Sequence, residues 1–473
     1  MRGEGRRNPH HAKGSYAVPV NSGASSREGA AVQTLFKDDR KPINEYDGSL
    51  CVPCKGAKLL CGKSRCPLLV KFYARQKALP MIDRLELEGS SPPSVFVGRW
   101  GYPKVLVGPM IPPIKGDTSI MDLPELWLGK TIDEIVDFRT MLVRGMHPVH
   151  IMNVEDGGRI VDMTREIAMA KDPSDVEAEF TKKPRGRLVL DDDVQPLGPS
   201  APLKALDTSS IKIDQRIEKA YDDTDLLSRD AVMGLYRNGT FLTRIQRAFS
   251  VGSFGLGDNR RFVPTRWSIT AVDTMIGLEL MKKVKHYPFI NEYRVYESFE
   301  LDNRFEVLML PMAWQYELIE AWYPNTVWNP MGKGIEIMSD AEGYNGRKDY
   351  ASIGGCYYAA RLAVCEQLEK ERRQAAVTIW REAHPGYILP VGVWNVRENV
   401  RNALRKGPHC FNTMKEAFDF IATRLDIGIP RWVRQSAVMK DAIYQKRIDD
   451  YYDKEGKDGP SDGARPVHHI GGQ

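Results

Sequence analysis

No stretch of this 473-residue sequence approaches the run of about 18 apolar residues that a membrane-spanning helix needs. The N-terminal sequence MRGEGRRNPHHAKGS also lacks the apolar segment of a secretory signal peptide. A large excess of one charge is missing too, since 67 basic residues face 62 acidic ones, so the overall charge identifies no partner. No internal repeat is evident. We therefore expect a cytoplasmic protein that does not span a membrane.

Cysteine is scarce and unevenly placed. The chain has seven cysteines, and an odd number without a secretion signal argues against a disulfide framework. Four of them, Cys51, Cys54, Cys61 and Cys66, follow the spacing C-x2-C-x6-C-x4-C. Four thiolates this close in sequence can enclose one ion in a tetrahedron, so the spacing predicts a structural zinc site. An iron–sulfur cluster also accepts four cysteines, and unliganded thiols are a third reading.

Acidic residues are absent between positions 51 and 77, whereas basic residues are frequent there. A small metal-pinned module with this charge would bind the phosphates of DNA, with an affinity that falls steeply with salt. The alternative is that the lysines only neutralise the thiolates and solvate a small knuckle. The predicted DNA contacts are Lys55, Lys58, Lys63, Arg65, Lys71 and Arg75.

The length exceeds what a single hydrophobic core supports, so two large domains are expected. We predict a disordered basic arm at 1–44, a zinc-binding module at 45–80, a first domain at 81–330, a second domain at 335–455 and a disordered tail at 456–473. Composition alone leaves open whether the arm has a function.

Residue periodicity indicates both helices and strands, which predicts an α+β fold of two mixed α/β domains. The pair Thr131 and Glu134 predicts a helix start, and the runs at 94–100 and 104–110 are typical of a hairpin. Further elements are helices at 226–248, 270–284, 413–424 and 430–452, a long helix with Tyr358, Leu362, Cys365 and Leu368 on one face, two strands within 289–323 turning at Asp302-Asn303, and a strand at 386–394.

One stretch of the second half could support catalysis. SDAEGYNGRKDYASIGG carries Asp340, Glu342 and Arg347 among glycines. Two carboxylates two residues apart could share a divalent cation for phosphodiester hydrolysis, with the arginine against a phosphate. The alternative is a loop whose acids cap the next helix and whose arginine pairs with them.

Other candidates give weaker signals. GSFGLGDNRRFVPTRWS places glycines before Arg260, Arg261 and Arg266, which could hold a phosphate, although a tight turn with a buried ion pair explains it as well. His384 could act in acid–base chemistry or simply pack. Cys365 and Cys410 are expected to be buried thiols. Tryptophans such as Trp322 and Trp328 could stack on bases, but aromatic residues among apolar neighbours more often form the core.

Several blocks in one order resemble the archaeal Nre family of DNA-repair proteins. They are CVPCKGAKLLCGKSRCPLLVKF, SPPSVFVGRWGYPKVLVGPMIPP, TIDEIVDFRTMLVRG, RRFVPTRWSITAVDTMIG, DAEGYNGRKDYASIGGCYYAARLAVCEQL and VGVWNVRENVR. The resemblance covers about residues 45–455, which corresponds to both the N-terminal and the C-terminal domain of that family.

The resemblance implies a role in the repair of DNA damage by nucleotide excision, a zinc-finger-like module near the N-terminus, and a C-terminal peptide that docks on the sliding clamp PCNA. The tail ARPVHHIGGQ lacks the glutamine, aliphatic and aromatic pattern of such a peptide, and QSAVMKDA from Gln435 places Asp441 and Ala442 where aromatics belong. We therefore expect a repair factor that binds DNA, with other repair proteins as further candidate partners. The alternatives are an enzyme that acts on nucleic acids or nucleotides through Asp340, Glu342 and Arg347, and a scaffold that does not touch DNA.

Overall fold

A computed structural model of the chain describes residues 51–186, 196–330 and 332–444. The predicted arm at 1–44, the acidic run at 191–193 and the tail at 456–473 lie outside these residues. The strands are β1 (Glu86–Ser91), β2 (Val95–Val97), β3 (Lys104–Ile111), β4 (Val143–His150), β5 (Ser174–Phe180), β6 (Ser200–Thr208), β7 (Tyr293–Glu300), β8 (Asn303–Leu310), β9 (Gln315–Trp322), β10 (Glu336–Glu342), β11 (Ala376–Ala383) and β12 (His409–Phe411).

The α-helices connect and cover these strands. They are α1 (Cys51–Cys54), α2 (Pro67–Ile82), α3 (Ile132–Met141), α4 (Arg159–Met169), α5 (Gln215–Asp222), α6 (Ser228–Arg237), α7 (Leu242–Ser250), α8 (Thr265–Val284), α9 (Gly355–Glu371), α10 (Trp394–Lys406), α11 (Met414–Ile421), α12 (Ile429–Gln435) and α13 (Ala437–Tyr444). The fold is therefore α+β, as the sequence predicts. No helix among the described residues is long and apolar enough to cross a membrane.

The first sheet has six strands in the order β1-β5-β6-β4-β3-β2. Only β4 and β6 pair in parallel, and the other neighbours are antiparallel. Its core packs strand residues such as Val107 and Val176 against helices α2 and α4. The predicted hairpin is confirmed, since Val95, Phe96 and Val97 of β2 pair with Pro109, Gly108 and Val107 of β3.

The second sheet also has six strands, in the order β10-β9-β11-β8-β7-β12. Strands β9 and β11 run parallel in its centre. Because side chains alternate between faces, Tyr316, Leu318 and Val377 pack against helices α8 and α9, whereas Ile319, Ala376 and Trp380 pack against α11, α12 and α13. The sheet is thus covered by helices on both faces and forms the middle of the molecule.

The two halves of the sequence share this second sheet. Strands β7, β8 and β9 precede residue 330, and β10, β11 and β12 follow it. A division of the chain at 325–335 therefore does not separate two sheets, since strands from both sides form one sheet and contribute to the cores on both of its faces. Composition cannot show this, because it reports turn residues and not which strands pair.

Several local predictions hold. Thr131 and Glu134 form a capping box at the start of α3, and the predicted apolar face of α9 is buried at Tyr358, Leu362, Cys365 and Leu368. These signals depend on residues within a few positions of one another, so the fold of distant segments does not alter them.

Other predictions are wrong in their bounds or type. The helix expected at 226–248 is two helices, α6 and α7, because Gly239 adopts a positive φ of 73° between them. The segment 289–323 holds three strands, not two, and its first turn uses Leu301 and Asp302, both with positive φ. Residues 386–394 do not form a strand, since 386–393 are a loop and Trp394 begins helix α10. Cys410 is exposed because β12 is an edge strand.

Candidate functional site

The four clustered cysteines lie around the single turn of helix α1. The sequence interval from Cys51 to Cys54 is one helical turn. Burial raises the pKa of the Cys51 thiol, and the nearby thiols of Cys61, Cys66 and Cys54 raise it further. Backbone N–H groups, led by that of Leu60, lower the pKa of Cys54. A sulfur that accepts several amide hydrogens is suited to the thiolate form that binds metals.

The loop between the third and fourth cysteines docks on the second sheet. The ammonium group of Lys63 donates to the carbonyl oxygen of Asn325 at 3.1 Å. The hydroxyl of Ser64 donates to the carbonyl of Pro385 at 3.4 Å. Gly62 has a φ of +71°, and a Cβ there would lie 2.4 Å from the Asn325 side chain. We call residues 51–80 the cysteine module. The module therefore contacts the loops that follow strands β9 and β11.

The cations of the module differ in their environments. Lys63 is only 2% exposed, so this predicted DNA contact does not agree with its position inside the protein. Arg65 forms an ion pair with Asp133 at 2.7 Å, and Lys77 forms one with Asp137 at 2.7 Å. Lys55 and Lys58 are exposed, and Lys71 and Arg75 are half-buried. The positive surface is therefore smaller than the sequence suggests, because helix α3 neutralises part of it.

The acidic stretch at the end of strand β10 fixes its own loop. Asp340 accepts hydrogen bonds from Arg347 at 2.9 Å, from the Ser352 hydroxyl at 2.7 Å and from the Ile353 backbone N–H at 2.8 Å. Glu342 is buried and pairs with Arg361 at 2.8 Å. Each carboxylate thus has its own arginine. The pair of Asp340 with Arg347 matches the alternative to a catalytic site, but helix α9 has no side-chain cap and Glu342 pairs with an arginine inside that helix.

The arginines after the glycine-rich segment also serve different purposes. Arg260 is buried and donates to the carbonyl oxygens of Gly255 at 2.9 Å and Tyr221 at 2.5 Å, so it stabilises a turn. Arg261 is half-buried. Arg266 lies in the first turn of helix α8 and lines a cavity. Of the three, Arg266 is therefore the one whose position suits a bound anion.

His384 belongs to a polar cluster at the end of strand β11. Its Nε2 lies 3.2 Å from Glu382 and its Nδ1 lies 3.9 Å from Asp426. Among the described residues, these three form the one group of potential metal ligands whose ligand atoms all lie within 4.8 Å of one another. The four cysteine sulfurs are therefore farther apart than this distance allows. The Glu382 carboxylate accepts the backbone N–H groups of Asp426 and Ile427. The cluster therefore anchors the segment that follows helix α11.

A cavity of about 330 Å³ lies between the two sheets. One wall is strand β2 with the hairpin residues Arg99 and Trp100. The other wall is the carboxyl end of the parallel pair β9 and β11, where Glu320 and Arg381 are register partners and form an ion pair of 2.7 Å. Crevices beyond the carboxyl ends of parallel strands are the usual ligand sites of α/β sheets.

The cavity is rich in arginine and aromatic side chains. Five arginines and one carboxylate, that of Glu320, line it. The arginines are Arg99, Arg139, Arg247, Arg266 and Arg381. Arg139 and Arg247 share the buried Asp122. Burial lowers the pKa of Arg381, but Glu320, Tyr387 and Cys356 together raise it above its usual value. The walls therefore carry excess positive charge next to apolar surface.

Trp100 marks the edge of the cavity. Its side chain is 81% exposed, although it is among the largest side chains of the protein, and the guanidinium of Arg99 lies 5.1 Å from its ring centroid. Trp267, Trp322 and Trp328 line the interior. An exposed tryptophan beside an arginine is typical of surfaces that stack on unpaired bases.

Three helices begin at this cavity. Thr265 and Arg266 of α8, Gly355 and Cys356 of α9, and Val393 just before α10 all line it. A Cβ on Gly355 would lie 2.8 Å from Val393 and 3.4 Å from the Thr270 hydroxyl, so the helix starts are in close contact. None of the three has an acidic residue in its first turn or a side-chain cap. Sequence analysis did not find this site, because its parts are distant along the chain.

Known proteins resemble this chain over most of its length. The family model described as “Archaeal Nre, N-terminal” matches residues 60–329, and that described as “Archaeal Nre, C-terminal” matches 342–451. The DNA repair protein NreB of Archaeoglobus fulgidus is 38% identical over 392 residues, covering 82% of this chain and 97% of that protein. The DNA repair protein NreA of the same organism is 37% identical, covering 80% of this chain and 94% of that protein. The DNA repair protein NreA of Haloferax volcanii is 32% identical, covering 77% and 92%. No solved structure shows a significant match.

Proposed function

The chain belongs to the archaeal Nre family, and we propose that it acts in DNA repair as a factor that binds DNA through the cysteine module and the mouth of the cavity between the two sheets. The pathway we propose is excision repair, which the family resemblance implies. The observation that carries DNA binding is Trp100, 81% exposed beside Arg99 at the edge of an arginine-lined cavity.

Trp100 suits unpaired DNA better than an intact duplex. Its ring can stack on a base only where that base has left the double helix, since paired bases already stack on each other. The neighbouring Arg99 can contact the adjoining phosphate. Damaged DNA exposes unpaired bases, so this surface fits a factor that acts where the duplex is disturbed.

The cysteine module contributes the second part of the proposed surface. Lys55 and Lys58 are exposed on the segment after helix α1. The module packs on the loops that carry Asn325 and Pro385, and residues farther along the same loops, Trp328 and Tyr387, line the cavity. A strand bound at Trp100 therefore has a second positive region near the same two loops.

We propose that Cys51, Cys54, Cys61 and Cys66 hold zinc. Their spacing and the backbone amides around Cys54 suit a four-thiolate site, and a bound cation would offset the repulsion between thiolates that, in addition to burial, raises the pKa of Cys51. Such an ion would fix the module and the loop of Lys63 and would leave no position for substrate. Its role would be structural, since a closed tetrahedron excludes water.

The enzyme alternative receives no support from the acidic stretch. Asp340 and Glu342 are each paired with an arginine and are largely buried. A metal shared between them would have to displace both ion pairs.

A titration of single-stranded and duplex oligonucleotides at two salt concentrations tests the proposal. We expect the single strand to bind more tightly, and Trp100→Ala to weaken that binding about tenfold, because one stacked base is lost. Lys55→Ala with Lys58→Ala should reduce the salt slope by about 1.4, which corresponds to about 0.7 per lost contact with a single strand.

Phe299 provides a matched control. It is 55% exposed, and Arg304 lies 5.7 Å from its ring centroid, but neither residue lines the cavity. Phe299→Ala should bind DNA like the unmodified protein. Equal affinities for the Trp100→Ala, Phe299→Ala and unmodified proteins would remove the basis of the proposed surface.

A further inference from the structure

The interior of the cavity between the two sheets offers more than a surface for one stacked base. Its volume of about 330 Å³ lies in the range of small-molecule sites, about 300 to 1,000 Å³. It combines aromatic walls with five arginines and three helix starts. A ligand that matches all of these features has a flat apolar part and an anionic part.

The helix starts define the anionic part. The N-terminus of a helix carries about half a positive charge and presents unpaired backbone N–H groups. Helices α8, α9 and α10 have 20, 17 and 13 residues, so each carries a full macrodipole. Proteins commonly place an acidic residue or a capping side chain at such a start, and these three have neither in the first turn or at the cap.

Trp322 forms part of the cavity wall and carries an unused hydrogen-bond donor. It lines the cavity and is 1% exposed. Its indole Nε1–H is buried and has no hydrogen-bond partner among the residues that the structure describes. A buried donor without an acceptor costs free energy, on the order of 1–3 kcal/mol. Because the Nε1 atom itself has almost no accessible surface, a ligand in the cavity could accept its hydrogen only if the indole ring shifted.

The aromatic walls define the flat part. Trp267 and Tyr350 line the cavity close to the start of α8 and the segment before α9, and Phe96 lines it from strand β2. Rings of this kind hold a nucleobase by stacking. Glu320 could accept a hydrogen from an exocyclic amino group, which gives the single carboxylate of the cavity a use beside its pair with Arg381.

We infer that the cavity binds a nucleotide, with its base against the aromatic wall and its phosphate at the starts of α8, α9 and α10. The nucleotide could be free in solution, or it could be a 5′-phosphorylated unit at the end of a DNA strand. In the second case the inference rests on the proposed function, and Trp100 would stack on the next base of the same strand.

The first experiment measures binding of dAMP to the full chain by calorimetry, with deoxyadenosine and inorganic phosphate as separate probes. We expect saturable binding of dAMP, and affinities at least about tenfold weaker for each of the two parts, because each uses only half of the site. Absence of saturable binding by dAMP, together with absence of binding by the 5′-phosphorylated strand described below, would overturn the inference.

Cys356 allows a matched pair of variants. It lies in the first turn of α9 and lines the cavity, and Asp and Asn are close to it in size. An acid in this position favours the helix, so Cys356→Asp should fold. We expect Cys356→Asp to weaken dAMP binding at least about tenfold by repelling the phosphate, and Cys356→Asn to leave it within about twofold. Equal affinities of the two variants would overturn the inference. If Cys356→Asp fails to fold, Arg266→Gln serves instead, with a loss of at least about tenfold expected and an unchanged affinity contradicting the proposal.

A competition experiment separates the two sources of the nucleotide. A single strand with a 5′-phosphate and the same strand with a 5′-hydroxyl are each added to the dAMP complex. Displacement by the phosphorylated strand alone supports a DNA end as the ligand, and displacement by neither supports a free nucleotide. The Lys55→Ala and Lys58→Ala protein should still bind dAMP. A protein that binds dAMP but no DNA would refute the proposed function and leave the nucleotide site standing.

Discussion

At the scale of single residues, the charges that look most available in the sequence are often buried and paired. Arg361, Arg381 and Arg397 are almost fully buried, and each contacts a buried carboxylate at 2.7 or 2.8 Å. Such pairs are costly to form, but removing one partner leaves the other charge unpaired in the interior. For this reason a charged residue in this chain cannot be assigned to a ligand from its type alone.

Glu306 is an exception, because it is a buried acid without a dedicated cation. It is 3% exposed, and its Oε2 has no hydrogen-bond partner among the described residues. Burial, with the charges of Glu297 and Glu382, raises the pKa of Glu306 to about 9. The folded protein therefore keeps this carboxyl protonated at neutral pH, whereas the unfolded chain ionises it near pH 4.5.

Glu306→Gln should consequently stabilise the protein at neutral pH. The unfolded chain releases a proton that the folded state holds, so the wild-type free energy of unfolding falls as pH rises from about 4.5 to about 9, by about 1.4 kcal/mol per pH unit. The variant lacks this loss, and its advantage should grow between pH 5 and pH 8 in thermal unfolding. Glu369→Gln, at a partly exposed site paired with Lys283, is the control. A gain in stability that is the same at every pH would contradict a raised pKa for Glu306.

At the scale of elements, helix ends decide much of the arrangement. Helices α3 and α11 begin with capping boxes, at Thr131 with Glu134 and at Thr413 with Glu416. Helices α8, α9 and α10 begin without a capping side chain and line the cavity. The first kind of start satisfies its own N–H groups, and the second kind leaves them for another partner.

Helix α3 should also hold the cysteine module in place. Its first two turns carry Asp133 and Asp137, which pair with Arg65 and Lys77. Thr131→Ala should lower the free energy of unfolding by about 1 kcal/mol, because the capping hydrogen bond is lost. Thr413→Ala should cost a similar amount. Only Thr131→Ala should speed limited proteolysis within residues 51–66, since α3 contacts the cysteine module and α11 does not. Equal cleavage of both variants would show that α3 does not support it.

At the scale of the whole molecule, contacts between distant segments create the candidate site. Strands from before and after residue 330 share the second sheet, and the cavity needs residues from position 95 to position 396. The cysteine module contacts the loops after β9 and β11 from outside. Two arginines of the cavity wall, from α3 and α7, meet at the single carboxylate of Asp122. The site therefore exists only when the entire chain is folded.

Loss of a metal ion from the cysteine module should show how far the module and the distant loops depend on each other. Elemental analysis is expected to find one zinc ion per chain in the unmodified protein and in Cys410→Ser, whose exposed thiol lies on the edge strand β12. Cys54→Ser should lose the ion. Because the module contacts the loops of Asn325 and Pro385, loss of zinc should also lower the thermal midpoint. A zinc content that is unchanged in Cys54→Ser would exclude the four-cysteine site.

The sequence by itself determined the features that depend on neighbours within a few residues. The α+β character, the capping box at Thr131, the β2–β3 hairpin and the buried face of α9 follow from local spacing, and the family follows from several blocks that occur in one order along this chain. Tertiary structure alone decided that Lys63 is buried, that Asp340 anchors a loop and that three helices start at one cavity. The physical reason is that burial, ion pairing and cavity shape are properties of residues brought together across hundreds of positions, and periodicity carries no information about those partners.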